Sequence, residues 1–186
     1  MSHPKLQSGN YYHIYNRGIN SCNLFGEEAN YHYFLLLYEK YINPIAETFA
    51  WVLMPNHFHL IIYIKDLSDT KEPHHYFSNL FNAYTKAFNK RYHRHGALFE
   101  RPFRRKQIDS DDYLKQVIIY THNNPIHHAF TSHPLQYQWS SYSTCISSKP
   151  TNLKRSEVIS LFDDLENFKF AHANNNDQSI SSWLGV

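Results

Sequence analysis

The chain of 186 residues is poor in cysteine, in long apolar runs and, over one stretch, in acids. Its two cysteines, Cys22 and Cys145, lie far apart and belong to no Cys-x-x-Cys or mixed Cys/His spacing, which argues against a disulfide framework and against a zinc finger. No run approaches the roughly 18 apolar residues of a membrane-spanning helix. The opening "MSHPKLQSGN" has no apolar signal-peptide core, so a cytoplasmic protein without a membrane partner is expected. There is no internal repeat. The length suits one domain with a small appendage, and a hydrophobic content of 42% is enough for a sizeable core.

The shortage of acids is local. Between Tyr84 and Lys106 one acid, Glu100, stands against Lys86, Lys90, Arg91, Arg94, Arg101, Arg104, Arg105 and Lys106, eight of the eighteen basic residues, so the net charge of +2 conceals a basic block. Such a block is either a solvated face or a surface for phosphates. Tyr84, Phe88, Tyr92, Phe99 and Phe103 run through it, and aromatic rings between cations favour nucleic acid, because bases can stack on them.

Periodicity gives the elements. "YYHIYNR", Tyr11 to Arg17, reads as a strand ending in the turn "NRGIN". Residues 27–41 carry apolar positions at helical spacing, begin with acids and stop before Asn43-Pro44. "ETFAWVLM" and "HFHLIIYI" are strands joined by Pro55-Asn56, a turn short enough to require an antiparallel hairpin. A polar linker over 65–73 leads to a helix over 74–94 closed by Gly96, then to an irregular edge strand interrupted by Pro102. Residues 110–123 form a helix capped by Ser110 and halted near Pro125. The order β-α-β-β-α-β-α predicts an α+β fold, a ferredoxin-like sandwich with an antiparallel sheet and helices on one face. "YQWSSY" packs back on this unit. One further helix over 155–171 and a polar tail whose Trp183 and Leu184 can anchor it make up a C-terminal extension. The division is therefore 1–145 for the main domain and 146–186 for the extension.

"LMPNHFHLII" raises the chemical question. On a strand His57, His59, Ile61 and Tyr63 share one face while Phe58, Leu60, Ile62 and Ile64 share the other. Two imidazoles side by side are either half-exposed or need hydrogen bonds or a shared metal ion. On the helix that follows, Tyr113, Val117, Tyr120 and Asn124 recur at intervals of four, three and four, placing Tyr120 and Asn124 one turn apart on one stripe. If that stripe faces the histidines, Asn124 can be a third ligand and Tyr120 a nucleophile beside it; equally, a tyrosine there can be packed core and Asn124 a helix end. The third position of His-x-His-x-His is Ile61, which removes the histidine-triad hydrolases, and 186 residues are too few for an amidohydrolase barrel of about 250.

Taken in order, "YNRG", "WVLMPNHFHLII", "GALFERPFRRK", "YLKQVIIYTHNNP" and "WSSY" resemble the single-tyrosine HUH transposases of the insertion-sequence 200 type, and within them the REP-associated tyrosine transposases, over about 70% of the chain. The resemblance implies that His57 and His59 hold a divalent ion, Mg2+ or Mn2+, with Asn124 as polar ligand and Tyr120 as nucleophile. It implies a partner, single-stranded DNA with hairpins, cut and rejoined through a 5′-phosphotyrosine with release of a 3′-hydroxyl. Family members include monomers and homodimers that share active sites. Lys86, Lys90, Arg91, Arg94, Arg101, Arg104, Arg105, Lys106 and Arg17 are the expected DNA contacts. The competing reading is a ferredoxin-like module that binds single-stranded nucleic acid without catalysis, its histidines structural and its tyrosines stacking bases.

Overall fold

The computed structural model describes residues 5–66 and 72–174. Positions 67–71 of the linker, and Trp183 and Leu184 of the tail, lie outside the described residues.

Strand β1 (Tyr11–Arg17) leads through a 3-10 turn to helix α1 (Glu28–Tyr41). Strands β2 (Ala46–Met54) and β3 (His57–Ile64) form the expected hairpin across Pro55-Asn56. Helix α2 (Pro73–Arg91), strand β4 (Arg104–Ile108) and helix α3 (Asp111–His127) complete the unit. The sheet order is β2-β3-β1-β4 with every neighbour antiparallel, so the β1 and β3 strands are central and β4 is an edge. Gly18, which ends "YNRG", permits the chain to turn there: a Cβ on it would lie 2.1 Å from the Cys22 carbonyl oxygen.

Period-two alternation divides the sheet. Tyr12, Ile14, Phe58, Leu60 and Ile62 face α1 and α2, packing on Phe34, Leu37, Phe77, Leu80 and Tyr84. This is the single helical layer that the sequence predicts. The opposite face is covered as well. Leu114, Val117 and Ile118 of α3 lie on Phe49, Ala50, Ile61 and Ile108, together with Tyr142, Val158, Phe162 and Phe168 from the C-terminal part. Covered on both sides, β3 exposes no residue, and its histidines are core groups that need partners.

Three boundaries differ from expectation. α3 does not halt before Pro125 but runs through it to His127. Pro125 lacks only one N–H, and the turn is closed beyond it by Phe130 N donating to Pro125 O (2.8 Å) and Ala129 N to Ile126 O (2.9 Å), with Ala129 at φ 58°. α2 ends at Arg91, three residues early, and the chain reverses through His93 (φ 49°) and Gly96 (φ 87°). The single helix over 155–171 is two, α5 (Arg155–Leu161) and α6 (Leu165–Asn174), after the short α4 (Tyr142–Cys145). Asp163 adopts φ 70° and Asp164 Oδ1 accepts from Asn167 N at 2.7 Å, so this aspartate pair ends one helix and caps the next.

"WSSY" does pack back. Trp139 stacks on Tyr31 with ring centroids 4.3 Å apart, Ser141 Oγ accepts from Trp51 N at 2.8 Å, and Tyr142 enters the second core. Among the described residues no helix is long and apolar enough to cross a membrane.

Candidate active site

The start of β3 puts His57 and His59 on the face that α3 covers; His57 is 8% exposed and His59 fully buried. Asn124 comes down on them from α3. Its Oδ1 lies 3.0 Å from His57 Nε2 and its Nδ2 3.5 Å from His59 Nε2, so the Nε2 atoms of both imidazoles converge on one amide. Tyr120, one turn earlier, sets its ring edge-on to His59 with centroids 5.5 Å apart. The four residues singled out from spacing are thus one cluster. Tyr113, on the same stripe, is elsewhere: half-buried beneath Lys106, whose Nζ is 5.0 Å from the ring centroid.

Both histidines are held neutral. Burial lowers the His57 pKa to about 4, against a weaker opposing hydrogen bond from Asn124, and burial pushes His59 well below its ordinary value. Tyr120 moves the other way. Burial raises its phenol to about 12, with the Asn124 hydrogen bond acting in the opposite direction. At neutral pH it is a protonated phenol.

The donor set accommodates a cation. His57 Nδ1 lies 2.8 Å from Asn56 Oδ1 while its Nε2 faces Asn124 Oδ1. A neutral imidazole has one N–H, so with Nδ1–H donated to Asn56 Oδ1 the Nε2 lone pair faces the Asn124 amide, an arrangement that a cation at that point relieves. Among the described residues no three of His, Cys, Asp and Glu are grouped to hold a metal. A metal here therefore needs the Asn124 amide in addition to the two imidazoles.

Sequence reasoning missed His13. Fully buried on β1, its Nε2 lies 2.8 Å from His59 Nδ1, the nitrogen turned away from Asn124. That contact fixes the orientation of the His59 ring and ties its tautomer to that of His13. His127 and His128 were missed too: His127 is 5.6 Å from the Tyr120 ring and His128 is 5.0 Å from that of His57, centroid to centroid. The signal for His13 was "YYHIYNR", whose His13 and Tyr15 alternate as the histidines of β3 do, but their pairing depends on register across strands.

The basic block folds into two surfaces. On the histidine face, Arg17 pairs in register with His57, Arg104 with Tyr15 and Lys106 with His13, so these three cations border the site. Of the others, Lys86, Lys90 and Arg91 are on α2, Arg94 follows it, and Arg101 and Arg105 flank Phe103. Lys86 and Lys90 are exposed on α2. Arg91 is engaged, donating to both carboxylate oxygens of Glu27 at 2.5 and 2.9 Å. Arg94 donates to Ala97 O at 3.2 Å. Arg101 is exposed, and Arg105 lies over the Phe103 ring at 5.0 Å. Arg17 itself is paired, its Nε 2.6 Å from Glu100 Oε1.

Fold and site together define an α+β sandwich in which a helix lays a phenol and an amide over paired histidines. The fold is shared with a solved structure of a REP-associated tyrosine transposase bound to a REP hairpin, at a TM-score of 0.60 and 17% identity, covering 81% of this chain and 89% of that one. No protein-family model and no curated protein matches the sequence.

Proposed function

We infer that the protein is a cytoplasmic, metal-dependent single-tyrosine transposase or endonuclease that cuts and rejoins single-stranded DNA beside hairpins. The observation that carries this reading is the convergence of His57, His59 and Asn124 with Tyr120 one turn away on the same helix. The fold shared with a hairpin-bound tyrosine transposase supports it.

Tyr120 acts as the nucleophile. Its hydroxyl oxygen attacks the scissile phosphorus in line, the phenolic proton departs, an O–P bond forms, and the bond to the 3′-oxygen breaks. That oxygen takes a proton and leaves as a 3′-hydroxyl, while the 5′-phosphate stays on Tyr120. Rejoining is the reverse attack by a 3′-hydroxyl, and the tyrosyl ester conserves the bond energy for it. His57, His59 and Asn124 would hold Mg2+ or Mn2+, which supplies charge withdrawal from the non-bridging phosphate oxygens. Two imidazoles and an amide suit Mn2+ better than Mg2+, which favours oxygen ligands. His13 keeps His59 oriented, and Arg17, Arg104 and Lys106 attract the DNA backbone to the histidine face.

One observation favours the non-catalytic binding module: Tyr120 is 4% exposed and its phenol is pushed up, as for a core tyrosine. The two readings separate on a denaturing gel. Wild-type protein incubated with 3′-end-labelled hairpin DNA from the flanks of its own coding sequence and Mn2+ should shift label to protein mass, and Tyr120→Phe should bind the hairpin yet give no adduct. Hairpin binding without adduct in wild type, unchanged by chelator, would establish the binding module instead.

A further inference from the structure

A cavity lies on the far face of the sheet from the histidines, between α2 and the segment 98–105, with a volume of about 490 Å3. We propose that it is a subsite for one unpaired nucleobase and its adjoining phosphate, filled by the DNA strand as it passes around the end of β1. The proposal rests on the DNA-processing function given above and names a second place where the strand is held.

The walls fit a base. Phe81, Phe99 and Phe103 form an aromatic cluster, with Phe81 at 5.0 Å from Phe99 and 5.5 Å from Phe103, and all three line the cavity. Their rings, 4 to 9% exposed, form an apolar floor on which the face of a base can rest. Polar groups line it as well. Asn82 and Thr85, three residues apart on α2, make no side-chain hydrogen bond among the described residues, and an amide offers the donor and acceptor that a base edge matches. The size is that of a small-molecule site, well above a single ring.

The charge fits a phosphate. Arg105 and Arg101 both line the cavity; Arg105 Nε is buried without a hydrogen-bond partner, and Arg101 pairs with no acid among the described residues. The one acid of the lining, Glu100, is already neutralised by Arg17 at 2.6 Å. The site is therefore cationic and aromatic, with no free carboxylate to repel DNA.

The position makes it reachable from the histidines. Asn16 lines the cavity and its neighbour Arg17 pairs in register with His57, so the end of β1 lies between the two sites. Asn16 Nδ2 also donates to Glu100 O at 3.1 Å, fastening the cavity's outer wall to the same strand. A DNA strand crossing the β1 end meets both.

The test uses the full chain and the flank-derived hairpin oligonucleotide, with an abasic site at each unpaired position in turn, and wild type against Asn82→Trp, which fills the cavity from an exposed helix position. Thr85→Phe fills it from the next turn and serves if Asn82→Trp does not fold. Expected is one position at which loss of the base weakens wild-type binding about tenfold and weakens the filled variant no further. Equal losses in both proteins at every position, or none in either, overturn the subsite. Adduct formation on the same DNA reports separately: a base-dependent cavity without adduct overturns the catalytic reading alone, and adduct without a cavity-dependent position overturns the subsite alone.

Discussion

At the scale of single residues, the site is built by burial. Removing His57 and His59 from water keeps them neutral, the form in which an imidazole can bind a metal, and the same removal raises Tyr120 to about 12. Deprotonating that phenol requires positive charge that its own surroundings in the protein do not supply. His13 gives the clearest residue-level prediction. Because its Nε2 is 2.8 Å from His59 Nδ1, His13→Gln should weaken Mn2+ binding by about 10- to 100-fold in a calorimetric titration. Unchanged affinity would mean that His13 is packing alone. Periodicity, two for the strand and three to four for the helix, put His57 with His59 and Tyr120 with Asn124, and only the resemblance joined the two pairs. His13 was not legible, because its partner is set by strand register, a tertiary fact that no single segment contains.

At the scale of elements, α3 decides whether the site exists. Its start is fixed by Ser110, whose Oγ accepts from Tyr113 N at 3.3 Å. Ser110→Ala should cost about 1 kcal/mol in urea unfolding, as cap losses do. A change well below that would show that packing of Leu114, Val117 and Ile118 alone fixes the helix start. The other end was misread from sequence. Proline inside a helix costs about 3 kcal/mol in isolation, but here the residues around it are buried, and Asn123 Nδ2 donates to His172 O of α6 at 2.9 Å. Tertiary contacts hold the extra turn, and the sequence of α3 alone does not contain them. The hairpin and β1 were legible for the opposite reason: alternation and a two-residue turn are local.

At the scale of the whole molecule, charge and protonation give two further predictions. The basic block was legible as a run, but its division between two faces was not, since it depends on where α2 and β4 lie relative to the sheet. Arg91 is already bound to Glu27, whereas Lys86 is exposed. In fluorescence titrations of hairpin DNA at several salt concentrations, Lys86→Ala should flatten the dependence of log Kd on log salt by somewhat under one, and Arg91→Ala should change it less. The reverse order would place the DNA path across Glu27. Buried histidines set the response to acid. Burial lowers His13 to about 3, and His57 and His172 to about 4, from an ordinary 6.5. Between about 4 and 6.5 the unfolded chain binds protons that the folded chain does not, so stability falls as pH drops through that window. The urea midpoint should decrease steadily from pH 7 to pH 4.5; a flat profile would contradict burial of these rings in the neutral form.

The central claim is that Tyr120 carries the DNA between cutting and rejoining. Peptide mapping of the adduct trapped on hairpin DNA with Mn2+ tests it most directly. The account predicts a nucleotide mass on Tyr120 and on no other of the fifteen tyrosines. A mass on Tyr113 or any other residue, or an adduct that persists in Tyr120→Phe, would contradict it.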